Sequence, residues 1–177
     1  RAGKIIRRMR DMVKKSDPNR QPIALAELVD ETRAFADIDA QRTSTQIMVD
    51  LPENLPKIVV DRIMIEQVLL NLIKNGIEAM SDVPLDRRKL TLQAAVVDDR
   101  MLEVTVGDHG HGLTEDDIEK IFTAFYTTKP EGMGIGLAIC RSIIEFHQGR
   151  LWVEARREGG TLFHFTVPIE DMGEDED

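Results

Sequence analysis

The sequence predicts an α+β domain: a two-layer sandwich in which helices cover one face of a mixed, mostly antiparallel sheet. Three observations carry this reading. Stretches with apolar residues at three- and four-residue spacing alternate with shorter stretches of strict apolar–polar alternation. The order is helix then strands, twice over, which suits an α+β layout. The chain also finishes in a hairpin, Leu151–Ala155 and Thr161–Val167, turned at Gly159-Gly160. At 177 residues the chain is long enough for one domain with a substantial core.

The elements follow in order. Arg1–Lys15 reads as a helix, with Ile5, Ile6, Met9, Met12 and Val13 at helical spacing among basic residues. Ser16–Pro22 carries two prolines and reads as a linker. Leu25–Ala40 is a helix packed on one side through Leu25, Leu28, Val29, Thr32 and Phe35. Gln46–Leu51 is a strand closed by Pro52–Pro56, and Ile58–Val60 is a second, shorter strand. Asp61 is placed to cap the next helix, since its carboxylate can accept from the orphan amides of a helix start. That helix, Ile63–Met80, turns Ile65, Val68, Leu69, Leu72, Ile73 and Ile77 inward. Ser81–Arg88 is a polar loop. Leu90–Val97 and Leu102–Val106 alternate as strands about a tight turn at Asp98–Arg100. Gly107–Gly112 is a glycine-rich loop. Thr114 caps a short helix to Phe122, and Phe125–Gly132 has no periodicity and reads as a mobile loop. Ile135–His147 is a helix stopped by Gly149 in the C′ position.

Composition narrows the function. A hydrophobic fraction of 42% with 31% charged residues suits a globular protein. No apolar run approaches the roughly 18 residues that span a bilayer. No membrane contact and a cytoplasmic location are therefore expected of this stretch. It starts without an initiator Met or signal peptide, as a piece of a longer chain would. The single cysteine, Cys140, excludes a disulfide framework. Net charge is −9 but uneven: Arg1–Arg20 carries +6, Glu170–Asp177 carries −6, and the middle carries −9. So acidic a domain is poorly suited to duplex DNA, where phosphate neutralisation dominates affinity, and no nucleic-acid partner is expected. The basic N-terminal stretch, with its apolar stripe, reads as one helix of a bundle. The acidic end reads as a disordered tail.

Four stretches carry chemistry. "EGMGIGLAICRSI", Glu131–Ile143, alternates Gly132, Gly134 and Gly136 at the threshold of a helix. Such glycines expose backbone N–H groups where the helix dipole adds positive potential, a setting for phosphate. A plain loop–helix junction is the other reading. The stretch lacks the third glycine of G-x-G-x-x-G, because Leu137 stands there, and no P-loop motif occurs. "NLIKNGIEAM" sets Asn71 and Asn75 four apart on one helical face. An amide oxygen is a hard ligand suited to Mg²⁺, although both amides can instead bond neighbouring backbone. "GDHGHGL" places Asp108 at a strand end before Gly110 and Gly112. Its carboxylate can accept the exocyclic amine of adenine, or can simply form an Asp-Gly turn. "IFTAFYTTKP" anchors a loop by Phe122 and Phe125 and carries Thr127, Thr128 and Lys129 near its tip. A lysine there reaches a terminal phosphate as a point charge, or sits on the surface.

In this order the four stretches resemble the N, G1, F and G2 boxes of the ATP-binding domain of bacterial two-component sensor histidine kinases. That family belongs to the GHKL superfamily, with heat-shock chaperone and mismatch-repair ATPases. "GGTLFHFTVP", Gly159–Pro168, is similar to the family's closing strand. The resemblance covers roughly Pro22 to Pro168 and is closest to the nitrogen-regulatory and oxygen-sensing subgroup. It implies a Bergerat-type fold and ATP and Mg²⁺ as cofactors. Asn75 would be the metal ligand, with Asn71 near the phosphates. Asp108 would hold the adenine amine, in a pocket shaped by Gly110, Gly112, Leu113 and Thr161. Thr127, Thr128 and Lys129 would meet the phosphates together with Gly132, Met133, Gly134, Ile135, Gly136 and Leu137. Thr114–Glu131 would form a short lid.

The resemblance further implies four parts: 1–16 as the end of the second helix of a dimerisation bundle, 17–22 as linker, 23–169 as the ATP-binding domain and 170–177 as tail. Partners would be the chain's own phosphoacceptor helices, a response-regulator receiver domain and, for the full-length protein, a second copy. Departures stand out. His109 and His111 replace the usual Asn and Pro, and Glu78 stands where the family often has lysine, a contact Lys74 could replace. None of the four histidines lies in a phosphoacceptor context, and His147 and His164 fall in apolar patterns. Asn71 takes the place of the water-activating glutamate of the superfamily's ATPases, which favours kinase over hydrolase. An ATPase or serine kinase of the same superfamily, or a non-catalytic binding module, are the rival readings.

Overall fold

The computed structural model describes residues 19–123 and 136–171. The expected helix over residues 1–16 and most of the acidic tail lie outside the described residues. The first element, strand β1 (Arg20–Ile23), takes up the last three residues of the expected linker and the first of the expected domain. It pairs antiparallel with β3 (Ile58–Asp61), Pro22 opposite Val59. Proline is tolerated because, among the described residues, β1 pairs on one side only. A separate five-stranded sheet has the order β2-β4-β5-β7-β6, from β2 (Gln46–Asp50), β4 (Lys89–Val96), β5 (Met101–Gly107), β6 (Leu151–Ala155) and β7 (Thr161–Pro168). Only β2–β4 is parallel; the other three pairings are antiparallel.

Alternation decides the two faces of this sheet. Leu90, Leu92, Leu102, Val104, Val106, Phe163, Phe165 and Val167 are buried. They face the core shared with α1 (Leu25–Arg42), α2 (Arg62–Ala79) and α4 (Gly136–Phe146). The alternate residues Gln93, Glu103, Trp152 and Glu154 lie on the other face. There His164 Nδ1 is 3.0 Å from both Glu103 and Thr105, and its ring stacks on Trp152 at 5.0 Å. His164 is thus a packing residue, as its apolar setting predicts.

Two expectations need correction. Phe35 does not join the buried stripe of α1; it is 69% exposed, and Ala36 takes that place at 1%. Gly149 is not the left-handed residue that ends α4. That conformation belongs to Gln148, φ 61°. The Gln148 and Gly149 amides donate to Glu145 and Ile144 carbonyls in a Schellman pattern. Glycine is needed at 149 for space, since an added Cβ would lie 1.9 Å from the Thr166 carbonyl oxygen. Elsewhere Thr114 caps α3 (Glu115–Lys120) through a capping box with Asp117, and Asp98 Oδ1 closes the β4–β5 turn by accepting from the Arg100 and Met101 amides.

Candidate nucleotide-binding site

The site is built on α2 and on the loop after β5. Asp61 starts α2 by accepting the Met64 amide at Oδ1, 3.2 Å, as its position predicts. The apolar face of α2 is fully buried, which fixes the opposite rim bearing Asn71 and Asn75, both half-buried. Gly76 lets α2 sit close on β4, since a Cβ there would fall 2.3 Å from Leu90 Cδ1; the same position borders Asp108 at ordinary contact distance, 3.7 Å from Oδ2.

Asp108 is 2% exposed at the end of β5. Its amide donates to the Thr161 carbonyl at 3.0 Å, continuing the β5–β7 ladder past the last paired strand residue. Its Oδ1 accepts the Gly110 amide at 2.8 Å. Gly160, φ 112°, is required here, because a Cβ would fall 2.1 Å from the Asp108 carbonyl oxygen. The close crossing of two backbones thus holds the carboxylate at a set depth. Burial pushes the Asp108 carboxyl above the usual range, against amide bonds from Gly110 and Thr161 that pull it down. A buried acid kept from most water is an acceptor poised for a ligand's donor.

Asn75, Ala79, Asp108, His111, Gly112, Leu113, Ile121, Thr161 and Phe163 line one cavity of about 30 Å³. That is room for one or two waters, far less than a purine. Asn75, Ala79, Thr161 and Phe163 are set by regular structure. His111, Gly112, Leu113 and Ile121 belong to the irregular segments around α3.

Of the expected site residues, the structure brings Asn75, Asp108, Gly112, Leu113 and Thr161 into this cavity. Gly110 is buried behind it, where a Cβ would meet the Ala79 carbonyl oxygen at 2.4 Å. Asn71 lies one turn back, its Nδ2 donating to Cys140 Sγ at 3.6 Å. It also borders the α4 start, where a Cβ on Gly136 would be 3.9 Å from the amide. Leu137 packs against the core. Lys74 is exposed and does not line the cavity. Thr127, Thr128, Lys129, Gly132, Met133, Gly134 and Ile135 lie outside the described residues. The residues missed are Ala79, His111, Ile121 and Phe163. The i, i+4 step from Asn75 to Ala79 was a readable signal; the others needed the fold. His109 and His111 do not converge: His109 Nδ1 bonds the Lys89 carbonyl and His111 Nδ1 that of Gly112.

The family described as histidine kinase-, DNA gyrase B-, and HSP90-like ATPase matches residues 60–171, from the α2 cap through the closing strand. This chain belongs to that family. The sensor protein FixL of Bradyrhizobium diazoefficiens is 41% identical over 171 residues, 97% of this chain and 34% of that protein. The sensor protein TdiS of Thauera aromatica is 41% identical over 169 residues, 95% of this chain and 31% of that one. The chain therefore spans about a third of these relatives. Its fold matches the catalytic domain of histidine kinase ThkA, TM-score 0.75 at 30% identity, covering 85% of this chain and 96% of that one. Full-length ShkA in complex with AMPPNP gives TM-score 0.77 at 25% identity, over 87% of this chain and 32% of ShkA. As a member of this family, the chain has the expected α+β sandwich. No helix among the described residues is long and apolar enough to cross a membrane.

Proposed function

We propose that this domain binds Mg·ATP and presents the γ-phosphate to a histidine on a separate dimerisation bundle of the full-length kinase. The observation that carries the proposal is the buried Asp108 carboxylate, which lines one small cavity together with Asn75. The donor set fits a nucleotide. Asp108 supplies a desolvated acceptor for the adenine amine, and Leu113, Ile121 and Phe163 supply apolar walls. The α4 start beside Asn71 supplies backbone amides for phosphate. It also fits Mg²⁺, which takes oxygen donors and keeps phosphate and water oxygens as most of its ligands, so that one amide oxygen from Asn75 suffices. The metal would supply charge neutralisation at the phosphates.

The chain's own residues then do three things. Asp108 fixes the base by a hydrogen bond held at one depth by the Gly160 crossing. Asn75 and Asn71 orient the polyphosphate side of the site, with Lys129 and Gly132–Gly136 completing it. Asn71, an amide where a carboxylate would activate water, leaves the γ-phosphate for a separate nucleophile. Catalysis is then positioning and charge stabilisation. The phosphoryl group would pass from that histidine to a response-regulator receiver domain, within a cytoplasmic homodimer.

The test is transfer against hydrolysis. With γ-labelled ATP, Mg²⁺ and a supplied helical bundle bearing the phosphoacceptor histidine, label appears on the bundle in an acid-labile form. Release of free phosphate with no labelled bundle would assign the domain to the ATPase branch.

A further inference from the structure

Two buried polar groups at the far ends of α2 and α4 take no direct part in the cavity: Asp61, 7% exposed, and His147, fully buried. We propose that His147 is a positioning residue for the nucleotide site, holding α2 and α4 in register. The inference rests on the nucleotide reading above and adds a residue to it.

The ring is fixed in one form. His147 Nδ1 lies 2.8 Å from the Ile143 carbonyl oxygen, which can only accept, so Nδ1 carries the proton. Nε2 then holds a lone pair, and it accepts the Asp61 amide at 3.1 Å. Asp61 is the N-cap of α2, its Oδ1 accepting the Met64 amide. One imidazole thus joins the last turn of α4 to the first turn of α2. The incoming chain is tied to the same joint. The Asn19 amide donates to Asp61 Oδ2 at 3.1 Å. Arg20 donates to the Phe146 carbonyl at 2.7 Å and lies 5.1 Å over the Phe146 ring.

The two helices run antiparallel from this joint to the site. Asn71 is ten residues along α2 from Asp61, about 15 Å at 1.5 Å per residue. Gly136 is eleven residues along α4 from His147, about 16 Å. Toward that end the helices meet again, through Asn71 and Cys140 Sγ at 3.6 Å, and Gly136 borders the Asn71 amide, 3.9 Å from where its Cβ would stand. The pair is therefore cross-linked at both ends, with a polar bond at the base and ligand groups at the top. A helix is stiff on this scale. Loss of the lower link lets one helix slide or turn against the other and moves the Asn71 and Asn75 amides relative to the α4 amides.

The test uses the whole chain and three variants, studied well below their unfolding temperatures. His147→Phe keeps a ring but removes both bonds. His147→Gln restores an acceptor for the Asp61 amide. Ile143→Val is a core change on the same helix that controls for lost stability alone. Affinity is read by calorimetry with a non-hydrolysable ATP analogue, and the side-chain amide resonances of Asn71 and Asn75 are read by NMR. His147→Phe is expected to weaken binding by about fivefold or more and to shift both amide resonances. His147→Gln should recover most of the loss, and Ile143→Val should bind as the wild type does. Equal affinities for His147→Phe and Ile143→Val would overturn the proposal. If His147→Phe does not fold, Arg20→Met opens the exposed side of the joint; it should cost roughly threefold, and unchanged affinity and resonances would overturn the proposal. A wild-type chain that binds no nucleotide would instead overturn the reading beneath it.

Discussion

Replacing Asp108 by Asn separates the two things its carboxyl does. The substitution keeps the shape and leaves Oδ1 free to accept the Gly110 amide, a bond now 2.8 Å long. It exchanges the other carboxylate oxygen for an NH₂, a donor in place of the acceptor proposed to meet adenine's own donor. Hydrogen bonds to charged groups contribute about 1.5–3 kcal/mol, and each 1.4 kcal/mol is about tenfold. Affinity for an ATP analogue should therefore fall by roughly 10- to 150-fold. Stability should move the other way. Burial raises the Asp108 carboxyl in the folded state, so the fold favours the protonated form. The stabilisation from this group is complete below the unfolded carboxyl's range and is lost as pH rises through the folded one. Asn is neutral at every pH and escapes that loss. The Tm of Asp108→Asn near pH 7 should equal or exceed the wild-type value. For the same reason wild-type affinity should fall on acidification at a higher pH than an ordinary aspartate would give, and the variant should show no such fall. Calorimetry across pH, with thermal denaturation in parallel, reads all of this. Unchanged affinity in Asp108→Asn would refute the assignment of Asp108 to the base. A large drop in Tm with intact affinity would make it a structural residue only.

Three further outcomes follow from particular contacts. Glu66 is pushed up to about 7, first by burial and then by Glu31, and its Oε2 is buried with no hydrogen-bond partner among the described residues. Its stabilising contribution is present at low pH and lost as pH rises through about 7. Glu66→Gln should therefore melt higher than wild type at pH 8, the gap closing near pH 4 in denaturation scans. Gly149→Ala forces a Cβ to within 1.9 Å of the Thr166 carbonyl oxygen. Overpacking of this kind costs about 1–3 kcal/mol, so Tm should drop by roughly 2–12 °C, read by calorimetric melting. Gly160→Ala combines a 2.1 Å approach to Asp108 with φ 112°. It should lower both Tm and nucleotide affinity, whereas Gly149→Ala should lower Tm alone when binding is measured well below the melt.

How far the sequence could be read depended on whether an element's reason was local. The Asp61 cap, the inward face of α2, the Thr114 cap and the Gly159-Gly160 hairpin rest on neighbours within a few residues, and all four stand in the structure. Phe35 falls at the margin of the buried stripe. At about 100° per residue, Ala36 lies near the middle of the buried set, about 20° from Leu25, and Phe35 lies about 20° beyond Leu28, the outermost buried residue on that side. β1 was hidden because R-Q-P-I has no alternating pattern, and what makes it a strand is its pairing to β3, some forty residues later. Gly149 and Gly160 were legible as punctuation only. That one clears the Thr166 carbonyl and the other the Asp108 carbonyl is a property of distant backbone. The site divides in the same way. Asn75, Asp108, Gly112, Leu113 and Thr161 came from motifs in order, and the structure places them in one cavity. Ile121 and Phe163, its apolar walls, looked like any other core residues.

Titration of a non-hydrolysable ATP analogue into the wild-type chain and Asn75→Ala, with and without Mg²⁺, bears most directly on the magnesium-nucleotide claim. The wild type should bind one equivalent, more tightly with the metal present. Asn75→Ala should bind without that gain. No heat from the wild type, or an undiminished metal effect in the variant, would contradict the account.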